Sequence, residues 1–136
     1  MFLFLHLECN FLWDQFEHSC YRVFQNNQDW FTARDLCLLE DADLASIHSA
    51  AEQEFIRNLG LLVHTSSMWI GGKMGVNDFE WDDGSEFNYD YWSPNEPDHN
   101  GECIVELYND SGDSVYEWFD EPCTGKYYYV CKKDAT

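Results

Sequence analysis

Apolar residues recur along this chain with two different periods, and the change from one to the other organises it. Over 30–40, Trp30, Ala33, Leu36 and Cys37 return every third or fourth position, the spacing of one helix face, with Asp29 as its N-cap. A second helix is predicted after Ser49, which stands three residues before Glu52 as in a capping box. Phe55, Ile56 and Leu59 form its buried stripe and Gly60 its stop. Elsewhere the period falls to two, or the apolar run is continuous. Met68, Trp69 and Ile70, followed by Gly71 and Gly72, predict a buried strand that another backbone approaches closely. Residues 79–85 alternate large apolar with acidic side chains and run into a turn at Asp83 and Gly84. Further strands are predicted over 21–24, 103–108, 115–119 and 126–132, the last with Tyr127, Tyr128 and Tyr129 alternately in and out. Trp69, Trp81, Trp92 and Trp118 are expected in the core. Two early helices and a later cluster of short strands make an α+β domain, mostly antiparallel.

Residues 86–102 carry little periodicity, and loops of that length are uncommon unless they have a function. This one reads Trp92-Ser93-Pro94-Asn95-Glu96-Pro97-Asp98-His99-Asn100-Gly101-Glu102 and ends on Cys103. Two carboxylates flank a proline that holds the backbone rigid, and a cis Glu96–Pro97 bond would let both side chains face one way. With Asp120, three residues before Cys123, they form a candidate calcium site, since hard cations take carboxylate oxygens.

At 136 residues the chain is expected to be a single domain, 1–136, and 45% apolar with 18% aromatic content excludes a disordered chain. Seven Lys and Arg against 26 Asp and Glu leave a net charge of −19, which repels phosphate backbones and anionic lipid. Nucleic acid partners and direct membrane insertion are therefore disfavoured; cations, neutral sugars and basic proteins fit. No run approaches the length of a membrane span, and Met1-Phe2-Leu3-Phe4-Leu5 lacks the basic start and cleavage site of a complete signal peptide. The expectation is a mature or excised domain of a longer secreted or membrane-anchored parent. Six cysteines without a Cys-x-x-Cys pair favour disulfides in an oxidising compartment, with 15 pairings open. Asn109-Asp110-Ser111 is an N-glycosylation sequon suited to a secreted surface. No nucleophile motif such as Gly-x-Ser-x-Gly occurs, so an enzyme is disfavoured.

In order along the chain, Trp30 to Cys37, Leu44 to Ile56, Trp69-Ile70-Gly71-Gly72, Phe79 to Ser85, the 92–103 loop and Trp118 to Cys131 resemble a C-type lectin-like domain in its long form. The resemblance covers nearly the whole chain, with its core at 9–131. It implies two helices, short and mostly antiparallel strands, a long ligand-binding loop and an N-terminal hairpin. It also implies the pairs Cys9 with Cys20, Cys37 with Cys131, and Cys103 with Cys123. In that family a Glu-Pro-Asn or Gln-Pro-Asp loop and a Trp-Asn-Asp triplet hold a calcium ion that binds sugar hydroxyls. Here the loop reads Glu96-Pro97-Asp98 and the triplet Trp118-Phe119-Asp120. The metal ligands implied are Glu96, Asp98 and Asp120, with Glu102 a fourth. Sugar-binding members add an acid two positions before the cysteine and an asparagine before the last aspartate, where this chain has Gly101 and Phe119. Glu102 stands one position late.

The loop then offers hydroxyl-accepting carboxylates but no amide donor at the usual places, which leaves His99 or Asn100 to donate and the sugar class open. Tyr91 or Phe119 would stack on a sugar ring. The function implied is calcium-dependent glycan recognition by a secreted or ectodomain module. The alternative is a metal-independent lectin-like domain with a degraded calcium site that binds a protein partner, for which Phe119 offers an apolar contact. Oligomeric state is not legible.

Overall fold

The computed structural model describes residues 7–109 and 115–136, so Asp110 and Ser111 of the sequon lie outside the described residues. In chain order the elements are β1 (Asp14–Phe16), β2 (Ser19–Gln28), α1 (Trp30–Leu39), β3 (Asp43–Leu44), α2 (Ala50–Leu62), β4 (Ser67–Met74), β5 (Phe79–Trp81), β6 (Cys103–Asn109), β7 (Val115–Glu121) and β8 (Tyr127–Asp134). They form one sheet in the order β1-β2-β8-β4-β6-β7, with β3 on β8 and β5 on β4. All pairs between these strands are antiparallel except β4 with β8, so the α+β expectation holds.

Both helices begin where the sequence places them. Asp29 accepts from the Thr32 amide at 2.8 Å and Ser49 from the Glu52 amide at 3.1 Å, each satisfying a donor the first helical turn leaves free. Glu52 reaches back to the His48 amide at 2.8 Å, one residue earlier than a capping box requires. Gly60 does not stop α2, which runs on to Leu62 and is capped by Val63. A Cβ on Gly60 would lie 2.8 Å from Met68 Cε and 2.9 Å from the Tyr116 hydroxyl, so glycine there allows the helix to lie close on the sheet. Gly71 and Gly72 meet the expected close approach, with Leu44 O 2.6 Å and Ile104 Cδ1 2.3 Å from an added Cβ.

Because strand side chains alternate, the sheet feeds two clusters. Trp69, Val105, Tyr129 and Cys131 pack on one face with Trp30, Ala33 and Cys37 of α1. Met68, Ile70, Ile104, Trp118 and Val130 pack on the other with Ile56 and Leu59 of α2. The three tyrosines of β8 therefore alternate between two interiors and not between interior and solvent, because both faces are covered: Tyr127 and Tyr129 join the α1 side and Tyr128 the α2 side. Phe55 is only half-buried, stacked on Phe16 at 5.1 Å. Trp69, Trp81 and Trp118 are buried, while Trp92 is half-buried against the α2-side cluster. The three disulfides join Cys9 to Cys20, Cys37 to Cys131 and Cys103 to Cys123, the pairs the resemblance implied.

Candidate cation site on the long loop

The loop is wrapped around one tryptophan. Trp118, on β7, donates its amide to Tyr91 O at 2.9 Å and accepts from the Ser93 amide at 3.0 Å, so the aperiodic chain gains a short stretch of sheet pairing. Around its indole lie Trp81, Phe87, Tyr89 and Trp92, with ring centroids 5.4 to 6.0 Å away. Two residues further on, the same face of β7 presents Asp120, which is 2% exposed. The Cys103–Cys123 bridge ties the end of the loop to the segment after β7.

Glu96, Asp98 and Asp120 come together, one carboxylate oxygen from each lying within 4.8 Å of the others. The Glu96–Pro97 bond is cis. Backbone amides hold the group in place. The Asp98 amide donates to Glu96 Oε2 at 3.0 Å and to Asp120 Oδ1 at 2.9 Å, and the Gly101 amide donates to Asp120 Oδ2 at 3.2 Å. Asn100 serves Asp98 twice, through its amide at 3.0 Å and its Nδ2 at 2.7 Å. Asn95 and His99 turn the chain with φ of 71° and 64°, the left-handed region.

Three acids this close cannot all ionise freely. Burial, then a hydrogen bond shared with Asp120, pushes the Glu96 carboxyl up to about 7. Burial also acts to raise Asp120, but hydrogen bonds from Glu96 and from the Asp98 and Gly101 amides outweigh it and hold that carboxyl below its ordinary value. The pair's proton thus sits on the Glu96 side and is lost as pH rises through about 7.

The other expected residues fall differently. Glu102 is exposed and not among the three, and its carbonyl accepts from the Met74 amide at 2.7 Å. Phe119 is half-buried against the α1-side cluster, on the face of β7 opposite Asp120, because adjacent strand residues point apart. His99 is exposed at the loop tip, and Tyr91 is 38% exposed. Gly101 carries no side chain for a steric reason: a Cβ there would lie 2.0 Å from the Glu121 carbonyl carbon. A groove of about 360 Å³ lined by Leu12, Phe24 and Leu62 shares no residue with the loop.

The residues present fit a hard divalent cation. Three carboxylates with amide-fixed oxygens are the donors calcium prefers, and its remaining positions fall to water or to ligand hydroxyls.

The family model for the Lectin C-type domain matches residues 26–133. The versican core protein of Bos taurus is 38% identical in an alignment over 127 residues that covers 89% of this chain and 4% of that protein. This chain thus spans a small part of that relative's length. Among solved structures, the carbohydrate-recognition domain of cow CD23, determined in the presence of a GlcNAc2Man3 oligosaccharide, superposes with a TM-score of 0.82 at 28% identity, covering 96% of this chain and 99% of that one. A calcium-independent type II antifreeze protein superposes with a TM-score of 0.86 at 26% identity, covering 97% and 98%.

Proposed function

The chain belongs to the C-type lectin domain family, a family of binding domains and not of enzymes, and from that premise we propose that it is an extracellular glycan-binding module whose long loop holds calcium. The observation that carries this reading is the convergence of Glu96, Asp98 and Asp120, distant in sequence, at the end of a loop anchored on Trp118. Likeness to a domain determined with an oligosaccharide supports the glycan as ligand, and three formed disulfides suit an oxidising compartment. Residues 9–131 act as the one folded unit.

Glu96, Asp98 and Asp120 hold the ion, which when bound offers coordination positions to sugar hydroxyls. Glu96 and Asp98 accept the hydroxyl protons. Asn100 provides the amide donor that the Glu-Pro-Asp loop lacks, because its Nδ2 already lies 2.7 Å from Asp98 Oδ2 at the same exposed edge. Asp120, buried and held by two amides, fixes the floor.

A metal-independent protein-binding domain is the second reading, favoured by the internal hydrogen bonds that already satisfy the three acids and by the calcium-independent relative of the same fold. Calorimetric titration of calcium into metal-stripped protein separates the two. Heat of binding and a calcium-dependent rise in melting temperature are expected. No heat at millimolar calcium leaves the protein-binding reading in place. A glycan array run with and without chelator then tests the ligand, with binding expected to vanish when calcium is removed.

A further inference from the structure

Behind the loop, on the α2 side of the sheet, β6 buries a carboxylate that the cation site does not use. Glu106 is 0% exposed, and its Oε2 has no hydrogen-bond partner. Its Oε1 accepts from Trp118 Nε1 at 3.1 Å and from Gln53 Nε2. Gln53, from α2, accepts the same indole N–H at 2.9 Å and places its own Nε2 3.4 Å from Tyr116 O. One glutamate and one glutamine thus share the N–H of the ring around which the loop is wrapped.

A buried carboxylate with one bare oxygen is costly in its charged form, because water is excluded and only one of its two oxygens is served. The strand positions opposite it are Met68 on β4 and Trp118 on β7, both uncharged. The ionisable groups that feel it are Tyr116 of β7 and Tyr89 of the loop; burial first, with Glu106 among the lesser causes, raises both phenols. Arg57 of α2 and Tyr108 of β6 act in turn on Tyr116. Burial pushes the Glu106 carboxyl up to about 7, against the lowering effect of Gln53 and Trp118.

We propose that Glu106 is a positioning residue for the loop: neutral, it packs beneath the Trp118 indole and keeps the loop closed; ionised, it drives the loop base open so that Oε2 gains water. The sign follows from linkage. A carboxyl whose folded value is raised stabilises the closed arrangement fully below its ordinary range, and that contribution is lost as pH rises through about 7. The effect on loop opening stands by itself, whereas any effect on cation affinity rests on the function proposed above.

The test uses the whole chain, metal-free and with chelator present. Hydrogen exchange is followed at the Ser93 and Trp118 amides, which pair the loop with β7, after correction for the intrinsic pH dependence of exchange. Between about pH 6 and about pH 8 their protection is expected to fall by roughly tenfold, since one unit of pKa shift corresponds to a tenfold change in equilibrium. The comparison is made in a Glu96→Gln background, which removes the loop carboxyl that is also raised to about 7; the fall is expected to persist there, and adding Glu106→Gln is expected to abolish it. A flat profile in that background, or a fall that survives the added Glu106→Gln, overturns the proposal. Should that variant not fold, Gln53→Met decides: loss of a donor to Oε1 is expected to move the midpoint upward, and an unmoved midpoint overturns it. A missing calcium response of the wild type beside an intact fall in the Glu96→Gln background removes the cation reading alone.

Discussion

On the α1 side of the sheet, Trp30, Trp69 and Val105 pack among the cysteines of all three disulfides, and among the described residues no carboxylate is buried there. On the α2 side the same strands close over Glu52, Glu106 and, at the base of the loop, Asp120 of β7. Each of these acids is compensated differently. Glu52 meets Lys132 Nζ at 2.6 Å and the Tyr21 hydroxyl at 2.5 Å. Asp120 is served by backbone amides and Glu96. Glu106 has an oxygen with no partner. Covalent cross-links and apolar packing make one face a fixed scaffold, and buried charge is concentrated on the other, where protons and polar partners set its balance.

The largest expected effect breaks the scaffold side. Replacing Cys37 and Cys131 together by Ser opens a loop with a sequence separation of 94. The cost is about 4 to 5 kcal/mol in the chain-entropy model, read as a lower denaturant midpoint in urea unfolding. A smaller loss is expected on the other face from Lys132→Met, which leaves the Glu52 carboxylate buried without its cation. About 3 kcal/mol is expected by the same assay. If the methionine variant is the less stable of the two, the division of labour between the faces is wrong.

The smallest effect on stability and the sharpest on binding belongs to Glu96. Its carboxyl is raised, so proton binding stabilises the metal-free protein most at low pH, and this contribution fades as pH rises through about 7. In the proposed site calcium would compete with that proton. Affinity measured by calorimetry is therefore expected to rise across the same interval, and Glu96→Gln is expected to lose both the pH dependence and most of the affinity. An affinity independent of pH between about 6 and about 8 would count against Glu96 as a ligand.

Much of this was legible in the residue pattern. Helical spacing placed α1 and the start of α2, because capping and an apolar stripe are local properties. The resemblance implied the disulfide pairs and the acids at 96, 98 and 120, and the structure brings them together. What escaped was decided by tertiary packing. Gly60 reads as a stop in sequence but lies inside α2, because Met68 and Tyr116 press on that turn. Phe119 was expected beside the ligand, yet strand alternation turns it to the α1 side. Glu106 shares its strand face with Ile104 and so could have been placed by period two. With 26 acids in the chain, nothing marked that one as enclosed.

Gly101 sets a limit on redesign. Related sugar binders carry an acid at this place, yet here the Glu121 main chain occupies the space where any side chain would start. Anyone wishing to strengthen the proposed cation site by installing that acid must first shift β7 outward, which would disturb its pairing with β6. How many oxygens this domain can offer is therefore governed by the spacing of two backbones and not by the choice of side chain.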